Sequence, residues 1–221
     1  MAVQVQGDKS LNAKQETGSG ILLTRESWPN LGSNGAYALS MKTGLIAVGI
    51  AANGLIGAFR WTHASKLALI RQIRMQAFPT TSPTTAQQWG LNAVIGRAYT
   101  ASHTGGTALT LTGNEFKKRT SYASTQAGDI RIATTAALGG GTVTPDAMPF
   151  VEQIKWELVG AATVQRNLID IELDMRDAGK HPIILAQNEG ILFRNSILTA
   201  ATMVYTAIIQ LEWLEVDQLD V

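Results

Sequence analysis

The stretch from Met203 to Val216 alternates between apolar and polar side chains, and this alternation constrains the fold more than any other feature. The odd-numbered positions from Tyr205 to Trp213 are all apolar, and the positions between them are polar except Ile208. A period of two places alternate side chains on opposite faces of a strand, whereas a helix would spread the polar residues around its surface. The pattern predicts a long strand with one buried face, after a short strand over 191–195.

The same stretch does not fit a membrane helix, which needs about 20 apolar residues with few charges. Over the longer run 189–216, the apolar residues are interrupted by Arg194, Asn195, Gln210, Glu212 and Glu215. The run "GLIAVGIAANGLIGAF" is also apolar, but it is short and contains four glycines. The sequence therefore predicts no membrane partner.

Similar alternation recurs in "LIGAFRW", "FVEQIKWEL" and "LIDIELDM", with shorter runs in "DIRIATT" and "HPIILAQ". "KLALIRQIRMQAF" favours a strand in which Arg71 is out of phase, and "TTAQQWGLNAVIGRAY" fits either a strand or a short helix. The Gly-rich "LGGGTVT" lacks the Lys of a phosphate loop and is interpreted as an inter-strand loop. The apolar side of each alternating strand is expected to face the interior. This predicts a largely buried core made of Phe59, Trp61, Ile154, Trp156, Ile171, Leu173, Ile209, Leu211 and Trp213.

The spacing of strand and turn signals predicts an all-β fold, with helix confined to one or two short pieces. Roughly eight to ten strands fit one domain, and we expect a single jelly-roll-like β-sandwich over residues 21–221. No long linker divides the chain. Residues 1–20 are polar and have no apolar core segment. We expect either an extended N-terminal arm that orders on a partner or a disordered terminus.

Composition limits the function classes. The chain has no Cys and a net charge of +1, so disulfides and thiol catalysis are excluded and nothing favours nucleic acid. Only 16% of its 221 residues are charged, while 45% are hydrophobic. An isolated soluble protein usually carries more surface charge. The low charge favours a subunit whose surface is covered by neighbours, and we expect a homo-oligomer, with a trimer favoured.

Candidate chemical groups are few. His63, His103 and His181 lie in separate segments without metal-ligand spacing, and no nucleophile elbow is present. Asp170, Glu172 and Asp174 form an acidic row that could bind Ca²⁺ or a sugar, but it also fits an exposed, soluble strand face. Lys117, Lys118 and Arg119 are too few for a nucleic-acid site and fit a solvated loop or a contact with an acidic neighbour. Trp28 and Trp89 are the candidate surface aromatics. We predict no catalytic, cofactor-binding or metal site.

The stretches "LIGAFRWTHASKLALIRQIRM", "NEGILFRN" and "AIIQLEWLEV" resemble strands of structural proteins of tailed bacteriophage virions. The resemblance covers about a quarter of the chain, and it implies a jelly-roll-like subunit that coats or reinforces a head, or belongs to tail or connector machinery. The expectation is a non-enzymatic decoration or cement protein, assembled in the host cytoplasm. It would be located in the virion, where the major capsid protein or other virion proteins would be its partners.

A second function class stays open. A carbohydrate-binding β-sandwich of a tail, fibre or receptor-binding assembly would use exposed Trp28 or Trp89 and the acidic row over 170–174. Sugar-dependent melting distinguishes it from a cement protein, which would instead bind expanded, empty heads.

Deletion of residues 1–20 tests the arm. If the arm orders on a partner, the shortened protein keeps its β-type circular dichroism and its melting temperature but loses oligomeric mass or affinity for heads. If the oligomeric mass and the affinity for heads are unchanged, residues 1–20 are only a frayed terminus.

Overall fold

The computed structural model describes residues 13–15, 22–24, 35–111, 116–118, 128–159, 168–176, 181–199 and 202–217. These residues contain strands and turns, and none of them lies in a helix, so no described segment is a helix long and apolar enough to cross a membrane. The strands are β1 (Ala13–Gln15), β2 (Leu22–Thr24), β3 (Ala36–Lys42), β4 (Leu55–Trp61), β5 (Lys66–Thr81), β6 (Gln87–Thr104), β7 (Thr107–Thr110), β8 (Gly128–Ile132), β9 (Gly139–Pro145), β10 (Val151–Glu157), β11 (Ile169–Asp174), β12 (Ile183–Leu185), β13 (Glu189–Asn195) and β14 (Val204–Asp217).

Strands β3 to β14 form two antiparallel sheets. The seven-stranded sheet has the order β10-β6-β13-β4-β8-β7, and β9 pairs with β6 beyond the end of β10. The five-stranded sheet has the order β11-β5-β14-β3, with β12 also on β5. Strands β1 and β2 pair separately. The all-β prediction is confirmed, and of the expected arm only 13–15 is described, as one strand of this small pair.

The two strands predicted at the end of the chain are β13 and β14. Side chains of β14 are buried at every odd position from Tyr205 to Trp213, as the alternation predicts. The strand also pairs with β5 over its whole length and with β3 on its other side. A central strand of 14 residues therefore has one face in the core and backbone partners on both edges.

A bulge in β5 explains why Arg71 breaks the alternation there. Glu212 pairs with Gln72, but the next residue, Trp213, pairs with Ile70, so Arg71 is the extra residue. The bulge reverses the phase of the strand. Ile73, Met75 and Ala77 face the main core at odd positions, while Ala68 and Ile70 face it at even positions. Leu67 and Leu69 instead pack with Leu214 and Val216 in a small separate cluster.

The core is centred on large aromatic side chains contributed by both sheets. Trp213 of β14 is fully buried, stacks on Tyr37 of β3 at 5.1 Å between ring centroids, and contacts Phe59 of β4 at 5.4 Å. Trp89 of β6 lies 5.8 Å from Tyr205 of β14. These contacts join the facing sheets. Trp61, Ile171, Ile209 and Leu211 are also buried as predicted, and Leu173 is partly buried.

The core prediction is wrong for β10. Its phase is right, but Ile154 and Trp156 point outward, with 44% and 56% of their surfaces exposed. The reason is register: Lys155 pairs with Trp89, which is fully buried. Directly paired residues share a face of the sheet, so Lys155 faces the interior and Trp156 cannot. The predicted surface position of Trp89 is wrong for the same reason.

One loop expectation is wrong, and one segment left open between strand and helix is now assigned. "LGGGTVT" is not an inter-strand loop, because Gly139–Pro145 forms β9 along the edge of β6. "TTAQQWGLNAVIGRAY" lies almost entirely in β6 and is a strand. Trp28, the other aromatic predicted at the surface, is outside the described residues.

A buried carboxyl lies near the end of β14. Glu215 is fully buried, with its Oε2 3.7 Å from Nζ of Lys66. Burial raises the pKa of Glu215 from its ordinary 4.5 to about 7, against the opposing effects of Lys66, a hydrogen bond with Tyr37 and the charge of Lys117. The folded protein therefore holds this proton more tightly than the unfolded chain does.

We predict that Trp213→Ala lowers the free energy of unfolding by about 3–5 kcal/mol, because it leaves a cavity between Tyr37 and Phe59. Trp156→Ala is the matched control, and its cost should be well below that range because Trp156 is more than half exposed. Urea unfolding of both variants measures the difference. Equal losses of stability would mean that Trp156 of β10 does not point to solvent, or that Trp213 of β14 does not point into the core.

We also predict that stability falls as pH rises from about 4.5 to about 7 through the titration of Glu215. A raised pKa in the folded state stabilises the protein most where the group is protonated. Glu215→Gln removes this titration, so its melting temperature should decline less than that of the parent over this window. Parallel melting curves across the window would contradict the assignment.

Candidate protein interface

One end of the sandwich is built from segments that contain no Asp, Glu, Lys, Arg or His. We call this surface the neutral end. The β3–β4 connection lies there, together with the β5–β6, β8–β9 and β13–β14 connections. In the part of the chain that the structure describes, the neutral end comprises 43–54, 82–86, 133–138, 196–199 and 202–203.

Hydrogen bonds between these connections hold the neutral end together. Thr199 donates its N–H to the carbonyl of Ile50, and its Oγ1 accepts the N–H of Ile50 at 3.0 Å. The Ala47 N–H donates to the carbonyl of Thr135, and the Thr84 N–H donates to Oγ1 of Thr202. The four connections therefore form one surface, to which the side-chain amide of Asn195 adds hydrogen bonds to the carbonyls of Ile50 and Ala51.

Three large apolar side chains are exposed on this surface. Leu45 is 58% exposed, Val48 43% and Leu198 57%. Between them lie small residues, including the exposed Ala51, Ala52 and Ala136. An exposed patch that combines apolar side chains with an absence of charge is typical of a surface that another protein covers.

The second apolar surface is a strip along β10. Ile154, Trp156, Leu158 and Val159 are between 44% and 56% exposed. Trp156 pairs with Gln88 near the start of β6, directly after the β5–β6 connection. The strip therefore runs towards the neutral end. Together the two surfaces hold seven of the nine large hydrophobic residues that are exposed among the described residues.

The outer face of the five-stranded sheet has the opposite character, and it contains the acidic row. Asp170 makes two hydrogen bonds to Arg74, at 3.0 and 3.1 Å. Glu172 accepts a hydrogen bond from Gln72 at 2.8 Å, and Asp174 pairs with Arg176. Arg74 is the main cause of the lowered pKa of Asp170. Cross-strand and local partners therefore hold the three carboxylates of the row. This is the interpretation of the row as a soluble strand face.

The basic cluster contacts an acidic neighbour. The segment 116–118 runs along β3, where the Lys118 N–H donates to the carbonyl of Ala36. Lys118 then forms an ion pair with Glu212 of β14, and Arg71 approaches the same carboxylate at 3.5 Å. Lys117 forms an isolated antiparallel β-bridge with Tyr37 of β3. Arg119 is outside the described residues. This arrangement anchors the segment to the sheet.

The three histidines are not brought together. Nδ1 of His63 accepts the backbone N–H groups of Ser65 and Lys66, and its ring stacks on Trp61, so it shapes the β4–β5 turn. His181 is exposed just before β12.

His103 lies against Tyr99 on the seven-stranded sheet, with its Nδ1 hydrogen-bonded to the tyrosine hydroxyl. Burial lowers the pKa of His103 and raises that of Tyr99. The neighbouring Asp129 is held by Arg60 and by the hydroxyl of Ser102 at 2.7 Å. Ser102 therefore hydrogen-bonds to the carboxylate and not to the histidine, which differs from the order of contacts in a catalytic triad.

Groups of three or more His, Asp or Glu placed to hold one metal ion do not occur among the described residues. A groove of about 320 Å³ lies on the outer face of the five-stranded sheet, lined by Ser40, Gln72, Gln210 and Glu212 among others. Of these, Gln72 and Glu212 already make the contacts with Glu172, Arg71 and Lys118 described above.

The neutral end was not predicted from the sequence. The signal was present, since no charged residue occurs between Lys42 and Arg60 or between Arg194 and Glu212. What the sequence did not reveal is that these two intervals, with 82–86 and 133–138, converge at one end of the fold.

No known protein family matches the chain, and no curated protein matches it. The fold defines its class as a two-sheet antiparallel β-sandwich, and the surfaces described above define its candidate site as a protein interface.

Proposed function

We propose that this chain is a non-enzymatic structural subunit of a virion, a decoration or cement protein that stabilises a phage head by contacts with copies of itself and with neighbouring proteins. The observation that carries the proposal is the neutral end, with Leu45, Val48 and Leu198 exposed on a surface without charge. Covering such a surface with another protein is favourable, because apolar area is removed from water and no charge has to be desolvated.

The strand order supports a jelly roll. Eight strands in chain order, β3, β4, β5, β6, β10, β11, β13 and β14, pair first with eighth, second with seventh, third with sixth and fourth with fifth. Successive pairs alternate between the two sheets, as in one long antiparallel hairpin rolled upon itself. Jelly rolls are used in viral capsids and in lectins. Residues 1–20 are proposed to be the extended arm that lengthens the contact.

Cementing has a simple thermodynamic basis. A subunit that binds only the assembled shell adds its binding free energy to the assembled state and not to the free components. A standard protein interface covers roughly 800 Å² on each partner. The neutral end and the β10 strip give this sandwich two apolar surfaces for two kinds of neighbour.

Carbohydrate binding is the second candidate function, and one observation favours it. Trp156 is 56% exposed on a sheet surface, and exposed aromatic rings are a common platform for sugars. Trp89 cannot serve this role because it is fully buried, and the acidic row is engaged by Arg74, Gln72 and Arg176. A sugar-dependent rise in melting temperature that is lost in Trp156→Ala would favour this alternative.

The test of the head-binding proposal is Leu198→Asp. The variant should fold and melt like the parent, because Leu198 is 57% exposed. It should lose binding to expanded, empty phage heads that lack this protein, because a carboxylate would have to be desolvated in the contact. Co-sedimentation with the heads measures the loss, and at least a tenfold weaker affinity is expected.

Met148→Asp is the matched control. Met148 is 77% exposed, but it lies in the β9–β10 connection, away from the neutral end. This variant should bind heads like the parent. Equal binding by both variants would contradict a role for the neutral end, and a parent protein that ignores heads would contradict the proposed function itself.

A further inference from the structure

We propose that β9 is a pH-sensitive cover over the buried side chain of His103, and that protonation of this histidine releases β9 from the sheet. The inference goes beyond the proposed function, because it describes a conformational change within one copy of the chain. It involves neither the neutral end nor the β10 strip, so its test does not depend on head binding.

β9 is attached to β6 by a ladder with an interruption. One part of the ladder joins 144–145 to 96–97, and the other joins 139–142 to 101–104. The register shifts between the two parts, because β6 contains extra residues between Arg97 and Ala101. Most of β9 is exposed. A short ladder on each side of an interruption holds β9 less firmly than a continuous ladder would.

The backbone of β9 lies directly on the ring of His103. Gly140 pairs with His103, and a Cβ atom added to Gly141 would lie 2.8–2.9 Å from three atoms of the ring. Gly140 and Gly141 have φ angles of 59° and 81°, which glycine adopts more easily than other residues. The ring is therefore covered, and His103 is only 7% exposed.

Tyr99 is the side-chain partner of His103. Its hydroxyl is hydrogen-bonded to Nδ1, and the two rings meet edge to face with their centroids 5.2 Å apart. Tyr99 is buried, and burial raises the pKa of its hydroxyl, which stays protonated. A neutral imidazole has one nitrogen that accepts a hydrogen bond, whereas both nitrogens of a protonated imidazole are donors. Protonation of His103 therefore leaves the buried Tyr99 hydroxyl no acceptor on the ring.

The charged side chains near His103 come from β4 and β8. Asp129 of β8 favours a positive charge on the ring, and Arg131 of β8 opposes it. Asp129 is paired with Arg60 of β4 at 2.7 Å. Because that guanidinium offsets the charge of Asp129, the carboxylate cannot fully stabilise a positive ring at His103.

β6 and β9 supply no negative side chain, since 87–104 and 139–145 contain no Asp or Glu. Burial is the largest effect on the ring, and it lowers the pKa of His103 below its ordinary 6.5. When β9 opens, water reaches the ring and this penalty is removed. The open state therefore binds the proton more tightly than the closed state does.

The direction of the pH effect follows from this difference. A lowered pKa in the closed state keeps β9 closed above the ordinary value, and this contribution is lost as the pH falls below about 6.5. One proton is involved, so the open fraction rises by at most about tenfold per pH unit. Glu215 acts in the opposite direction, because its protonation stabilises the fold as the pH falls from about 7. Opening at β9 is thus distinguished from a general loss of stability.

Hydrogen–deuterium exchange of the full-length protein tests the release. Amide exchange over 139–145 is compared at about pH 7.5 and about pH 5, after correction for the chemical exchange rate at each pH. We expect exchange over this segment to be several-fold faster at the lower pH, while exchange over β14 is unchanged or slower.

His103→Asn is the main variant. Its side-chain amide replaces Nδ1 as the partner of Tyr99 but cannot be protonated, so the pH response over 139–145 should disappear. His181→Gln is the matched control, because His181 is exposed and lies just before β12. This control should keep the full response of the parent.

Two further variants keep the test decisive. His103→Gln takes the place of His103→Asn if the latter does not fold, and it should also abolish the response. Gly141→Ala should speed exchange over 139–145 already at about pH 7.5, because the added Cβ atom does not fit against the covered ring.

Three results would overturn the proposal. They are equal exchange over 139–145 at both pH values in the parent, an undiminished response after replacement of His103, and faster exchange at low pH in β14 together with β9. A Gly141→Ala protein that exchanges like the parent would also contradict the contact between β9 and the ring.

Discussion

The pairing of β5 with β14 is the constraint on which the rest of the sandwich depends. The two strands pair from one end of β14 to the other and form the middle of the five-stranded sheet. Their inward side chains, among them Ile73, Ile209 and Trp213, make one wall of the core. The bulge at Arg71 lets this long pairing change phase, so Trp213 meets Phe59 of the opposite sheet while Arg71 approaches the buried carboxylate of Glu212.

The surfaces follow from how this core distributes charge. Ion pairs and charged hydrogen bonds lie across the outer face of the five-stranded sheet, where Arg74 and Asp170 join β5 to β11. They also lie at the Arg60–Asp129 contact of the seven-stranded sheet. The connections at the neutral end carry none of these charged residues. Among the described residues, many of the charged contacts therefore lie on sheet faces, and one end of the sandwich is uncharged. That asymmetry is the physical basis of the proposed role as a structural subunit.

Much of the fold was predictable because strand alternation is a local property. The facing of β14, the strand character of β5 and the alternation in β11 all follow from period-two patterns that each strand carries in its own sequence. β10 shows the limit. Its alternation was recognised, but its apolar side was assigned to the core, and the register against β6 places that side in solvent. The apolar face of an edge strand and that of a buried strand have the same sequence pattern.

The sequence by itself determined an all-β chain without disulfides, with a long final strand and few candidate chemical groups. The tertiary structure alone decided which face of β10 is inward, that Trp89 is buried, and that four uncharged connections meet at one end. The physical reason is that alternation reports only that the two faces of a strand differ. Which face meets the core is fixed by the partner strand, and which loops become neighbours is fixed by the order of strands in both sheets.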